Sequence, residues 1–216
     1  MESETLTFGR LEALHGVLEW RAGYGTQGPV GKTWGDLSIS VGHSIVWGRR
    51  DEFGMTEKLT WSWIDMLEFM TSAWPYLRRD QKCPPPFDGT AHIPAALAEL
   101  RARARQRWSS LSDDDADAED DALRDFLVVH DFGQALAGAA APTLILLKQG
   151  SRMRVASTQH DWLLSFADTM AALTELGEII AERIETLPDA RSMEAFARWA
   201  ERNEANDGGK SDGRSR

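Results

Sequence analysis

The residues best equipped for chemistry lie in one thirty-residue stretch, Phe126 to Val155, FLVVHDFGQALAGAAAPTLILLKQGSRMRV. It holds the adjacent pair His130-Asp131, an Ala/Gly-rich connector, and two strand-like runs flanking Gln149-Gly150-Ser151. A histidine oriented by a carboxylate is the makings of a general base. Neighbours on a helix, however, point about 100° apart and do not bond side chain to side chain. A hydrolase also needs a nucleophile on a defined turn, and the chain contains no G-x-S-x-G. His130 shares a helical face with Leu123, Phe126 and Leu127, which marks it as a core histidine donating to a backbone carbonyl. The alternative is a pocket where His130, Asp131 and Arg152 converge on a small ligand or substrate.

Other constellations are incomplete. None of the five histidines stands in HExxH or at short ligand spacing to another histidine or cysteine, so no metal site is predicted. Gly31-Lys32-Thr33 imitates the end of a phosphate loop, yet Thr26 occupies the place of the required first glycine. The alternation from Leu37 onward also predicts a strand where that loop needs a helix. The single cysteine, Cys83, forms no internal disulfide and reads as a bystander thiol. No cofactor is implied.

Charge narrows the partners. The net charge is -10, and Asp113, Asp114, Asp115, Asp117, Glu119, Asp120 and Asp121 contribute -7 of it with no intervening base. Residues 112–121 therefore read as a solvated acidic loop, and Asp113, Asp114 and Asp115 are candidates for docking a protein or mimicking DNA. Direct nucleic-acid binding is disfavoured: the acidic body repels phosphate, and Arg101, Arg103, Arg105 and Arg107 spread over two helical faces. No apolar run approaches the roughly 20 residues needed to span a bilayer. Met1-Glu-Ser-Glu lacks the features of a signal peptide, so a cytoplasmic location with no membrane contact is expected.

Nine tryptophans are many for 216 residues. Trp61, Trp63 and Trp74 crowd into fourteen positions, so some belong in the core, and one left partly exposed would anchor a partner or stack on a ligand.

The elements that must position these residues suggest an α+β chain: two short antiparallel hairpin units, about five helices, and a mainly helical C-terminal half. Thr5 to Trp20 fits a helix or a strand-turn-strand equally, and the glycine-rich stretch from Ala22 to Gly35 is a loop. Asp36–Val41 and Ser44–Trp47 alternate around Gly42-His43 as a hairpin. Ile64, Leu67, Met70, Trp74 and Leu77 then recur at helical spacing after a Ser62/Asp65 capping pair. Pro84-Pro85-Pro86 marks a sub-domain boundary near 85–92 inside one domain covering 1–205, and Pro94 opens a helix running to about Trp108. Thr143–Lys148 and Arg152–Val155 form a second hairpin whose first strand is covered on both faces. Asp161–Ile184 reads as one long helix, a shorter one carries Met193, Phe196 and Trp199, and residues 206–216 form a disordered tail. The two hairpins, each beside a helix, hint at a duplication that the residues do not align well enough to establish.

Several of these segments together carry a likeness: Trp34-Gly35-Asp36-Leu37; Leu59 to Phe69, LTWSWIDMLEF; Trp74-Pro75-Tyr76-Leu77; His130-Asp131-Phe132; Ala137-Gly138; Pro142; and Leu146 to Gly150. Across roughly residues 34 to 187 the chain resembles the region preceding the peptidase domain in some bacterial proteins of the ImmA/IrrE metallopeptidase group. The zinc-binding HExxH helix of that group has no counterpart here, so the resemblance carries over no protease activity and no functional residue. It implies a free-standing regulatory or sensing module in a bacterial stress, mobile-element or phage-defence setting. Its partner would be a protein such as a nuclease, a peptidase or another defence component. Three functions follow as expectations: a non-enzymatic interaction module, a small-ligand sensor or enzyme with a pocket near His130, and an acidic DNA-mimic inhibitor.

Overall fold

Alternating apolar residues build the first sheet. A computed structural model describes residues 3–21, 34–47, 49–50, 56–57, 59–80, 92–97, 99, 113–133, 143–157, 159–185 and 194–201. Thr5 to Trp20 resolves into two strands, β1 (Ser3–Gly9) and β2 (Leu14–Arg21), which pair in strict antiparallel register from Ser3↔Arg21 to Gly9↔His15. β3 (Trp34–Val41) pairs with β2, and β4 (Ser44–Trp47) with the far end of β3. A two-stranded ribbon, β5 (Arg49–Arg50) and β6 (Thr56–Glu57), precedes β7 (Leu59–Ser62), which pairs with the start of β3 and makes the sheet five-stranded. The inner face carries Phe8, Leu14, Leu18, Leu37, Ile39 and Val41, all buried.

β7 runs directly into α1 (Trp63–Leu77), where the Ser62 hydroxyl accepts from the Asp65 N–H at 3.4 Å, as the capping pair predicts. The second sheet consists of β8 (Leu144–Gln149), β9 (Arg152–Ser157) and β10 (Asp161–Ser165), in the order β10-β9-β8. Both predicted hairpins are present. In each a glycine alone takes a positive φ in the turn, 56° at Gly42 and 59° at Gly150, the conformation that the missing Cβ makes easy.

Two elements differ from the sequence expectation. The helix expected over Asp161–Ile184 begins later, because Asp161 to Ser165 pair with β9 as a third strand and α3 spans Phe166–Glu185. The acidic run is no loop: it forms the first turns of the 18-residue helix α2 (Asp113–His130). Asp113, Asp114 and Asp115 fall in the first turn, where the positive end of the helix dipole favours carboxylates. Residues 93–97 and 194–201 are also helical, giving five helical stretches among the described residues. The chain is thus α+β, with two antiparallel sheets, each larger than the hairpin it contains. Residues 22–33, the prolines at 84–86, most of the proposed boundary at 85–92 and the tail at 206–216 lie outside the described residues, while Trp34 and Gly35, grouped with the glycine-rich loop, belong to β3.

The two halves share a local plan that the sequence only hinted at. Strands β2-β3-β7 lie side by side in that order and lead into α1; β8-β9-β10 do the same and lead into α3. The serine before each helix accepts from the amide three residues on, Ser62 from Asp65 and Ser165 from Asp168 at 3.3 Å. Both junctions read Ser-aromatic-x-Asp.

β8 sits between two cores. Leu144 and Leu146, with Met153 and Val155 from β9, face the main core shared with the first sheet, α1 and α3. Ile145 and Leu147, with Ala156, face a second cluster completed by Ile93, Ala96, Leu97 and Phe126. The strand is covered on both faces, as its continuous apolar run predicts. No described helix is long and apolar enough to cross a membrane.

Candidate functional site

His130 ends α2 and Asp131, the next residue, bridges to Ile145 of β8, and both side chains serve that junction.

 His130 is fully buried; its Nδ1 lies 2.8 Å from the Leu146 carbonyl oxygen and its ring stacks on Phe126 with centroids 4.5 Å apart. A carbonyl only accepts, so Nδ1 carries the proton and donates. Burial holds the imidazole pKa below its usual 6.5, because a charged ring there loses water, and the bond to Leu146 offsets only part of this. The Asp131 carboxylate is also buried, and its Oδ1 accepts from the backbone N–H groups of Leu144 at 2.9 Å and Gly133 at 2.8 Å. Both side chains therefore bond to the backbone of β8, at Leu146 and at Leu144, on either side of the bridge between Asp131 and Ile145.

Arg152 does not join them. The register sets it opposite Gln149 at the mouth of the turn, where it is exposed, while His130 reaches β8 at Leu146. The turn is itself tied to the residues after α1: Asp80 accepts from Lys148 Nζ at 2.8 Å and from the Gly150 N–H at 2.7 Å. Those bonds, that of Lys148 foremost, hold the Asp80 carboxyl below the usual carboxylate range.

The tryptophan candidates are largely core. Trp63 is 0% exposed and Trp74 4%, so neither indole offers a surface anchor. Gly35 makes room for the first, since a Cβ there would lie 2.4 Å from the Trp63 ring. Trp63 also stacks on the partly buried Trp20 at 5.7 Å, and Trp74 meets Trp199 edge to face at the same distance. The side chain of Trp61 lies outside the described residues, as do those of Asp113, Asp114 and Asp115, whose backbone opens α2. Among the described side chains, the partly buried tryptophans are Trp20, Trp34 and Trp162, the last stacked on His160 at 5.0 Å.

Sequence reasoning missed one polar centre altogether. Arg154 grips Asp161 through Nε, at 2.9 and 3.1 Å from its two oxygens, and through Nη2 at 2.6 Å, with side chains only 12% and 10% exposed. Asp161 Oδ2 also accepts from the Ile93 N–H at 3.1 Å and so pins the start of the helical 93–97 segment to β10. A bidentate pair of this kind fixes orientation as well as distance. A second feature is the cross-strand pairing of Glu19 with Asp36, which places two carboxylates on one face of the first sheet, Asp36 only 3% exposed. Strand register, not spacing, produces both, and no local pattern announces either. Among the described residues, no group of three or more histidine, cysteine, aspartate or glutamate side chains is placed to hold a metal ion.

Fold and site together describe a two-sheet α+β protein in which His130 and Asp131 join a helix to a strand. No family model matches the chain, and neither a curated protein nor a solved structure matches it.

Proposed function

We propose that this chain is a non-enzymatic protein-recognition module of a bacterial regulatory, stress or phage-defence system, similar to the region that precedes the peptidase domain in ImmA/IrrE-group proteins. Its contact surface is the N-terminal half of α2. The observation that carries this reading is the helical state of the acidic run: the backbone of Asp113 to Asp121 lies in one helix. A regular helical spacing of carboxylates suits a basic protein surface, such as that of a nuclease, better than a floating loop does. The side chains of the His130-Asp131 pair support the same reading, because their described bonds go to backbone groups. A DNA-mimic inhibitor is the special case in which that basic surface is a nucleic-acid site, and the helical acidic run favours it over the loop expected from sequence.

The test is affinity purification of the tagged chain from its native host, beside a variant carrying Asp113→Asn, Asp114→Asn and Asp115→Asn. One stoichiometric protein should be recovered with the natural chain, be lost with the variant, and dissociate as salt rises, since exposed charges are screened over about 8 Å at physiological ionic strength. Recovery of the same protein by both chains, or of none by either, refutes the reading.

A further inference from the structure

The second sheet divides the apolar interior unequally. Among the described residues, thirty buried side chains form the main core and seven form the cluster on the other face of β8. The smaller cluster consists of a short strip, Ile145, Leu147 and Ala156, covered by Ile93, Ala96 and Leu97 from the 93–97 segment and by Phe126 from α2, with Leu123 and Leu127 partly buried beside them. The cover thus comes from two stretches well separated in sequence, and each completes the burial of the other.

Its described polar ties sit at the edges. The 93–97 segment is held through the Ile93 N–H on Asp161. α2 is held at its C-terminal end, where His130 bonds Leu146, Asp131 accepts from Leu144, and Phe132 lodges in the main core edge to face with Trp47 at 5.0 Å and Phe69 at 5.7 Å. The end at residues 130–132 is therefore fastened to the large core, while Leu123 to Leu127 rest on the small one and α2 also lies against α1.

From this asymmetry we propose that α2 and the 93–97 segment form a hinged cover that opens as one cooperative unit, pivoting at His130 to Phe132, while the main core stays folded. Local opening draws on regions with few buried apolar contacts, and the small cluster is that region here. Opening uncovers the strip of Ile145, Leu147 and Ala156 and leaves the opposite face of β8 packed. The proposal goes beyond the recognition reading and stands whether or not α2 binds a partner.

Hydrogen exchange of the full chain at neutral pH, followed by mass spectrometry over a series of low urea concentrations, tests it. Peptide segments covering Leu123–Leu127 and Ala96–Leu97 should exchange at least about tenfold faster than Leu173–Ile184 in α3, and both should show one common, shallow urea dependence. Phe126→Ala should speed both cover segments by the same factor and leave α3 unchanged. The natural chain alone decides the matter if that variant does not fold. Equal exchange in the cover and α3, or unlike urea dependences in the two cover segments, overturns the proposal, as does acceleration by Phe126→Ala confined to α2.

Discussion

Protonation of His130 should cost the fold stability in a defined pH window. The ring is fully buried against Phe126, and burial keeps its folded-state pKa below the 6.5 of a free histidine. The unfolded chain consequently binds more protons than the folded one as pH falls below about 6.5, and stability declines with it. The slope approaches about 1.4 kcal/mol per pH unit, and the loss stops growing below the folded-state pKa. From pH 7.5 to 5.5 the contribution of this one group is at most about 1.4 kcal/mol, a large share of the 5–15 kcal/mol typical of a domain. Urea unfolding followed by tryptophan fluorescence at several pH values measures it. His130→Gln provides the reference, since glutamine retains an N–H donor and does not titrate, while the other four histidines are common to both proteins. The stability advantage of the natural chain over the variant should shrink as pH drops from 7.5 to 5.5. A constant difference, or one that grows on acidification, refutes the argument from burial.

Three further substitutions probe the joints of the fold. Asp131→Ala leaves the buried Leu144 N–H without its carboxylate acceptor and should destabilise by about 1–3 kcal/mol in the same unfolding assay, with Asp131→Asn losing less because its carbonyl still accepts. Arg154→Leu strands the largely buried Asp161 carboxylate and should cost about 3 kcal/mol at pH 7, a penalty that Arg154→Leu combined with Asp161→Leu should reduce in a double-mutant cycle. Gly177→Ala would ordinarily stabilise a helix by up to about 1 kcal/mol, yet here the new Cβ would stand 2.0 Å from the Trp199 ring. It should destabilise by about 1–3 kcal/mol through overpacking, and calorimetry should show a lowered Tm.

What was legible in the sequence was whatever a local period or cap determines. Leu37, Ile39 and Val41 alternate and lie buried on one face of β3, and Ser62 caps α1 as its spacing to Asp65 indicates. Trp162-Leu163-Leu164 is apolar at every position and fits either period, so only pairing with β9 makes Asp161–Ser165 a strand. Dense charge reads as a solvated loop over 112–121, although an acidic start also suits the positive end of the helix that carries Leu123, Phe126 and Leu127, and the described backbone is helical from Asp113. Residue type did not reveal which way the tryptophans face: Trp63 is buried because Gly35 leaves space for its ring. The polar joints were hidden for a further reason. Asp131 meets Leu144 across thirteen residues, and Asp161 meets Ile93 across sixty-eight.

The two strand-to-helix junctions show how one local plan acquires different interiors. Counting twelve residues from each capping serine leads to Trp74 in α1 and to Gly177 in α3. Both positions meet the same indole: Trp199 packs edge to face on Trp74 and presses its ring where a Cβ on Gly177 would stand. One equivalent position therefore supplies bulk and the other supplies room. Two bulky residues at these sites would crowd Trp199, and two small ones would leave a cavity beside it. The helical 194–201 segment thereby ties both units into a single core, since Ala195 and Trp199 are buried with residues of α1 and α3. The smaller cluster has no such shared wedge among its described residues, and its burial depends on α2 and the 93–97 segment staying together. Any opening that leaves the main core intact should consequently begin on the outer face of β8, on the side of the acidic helix.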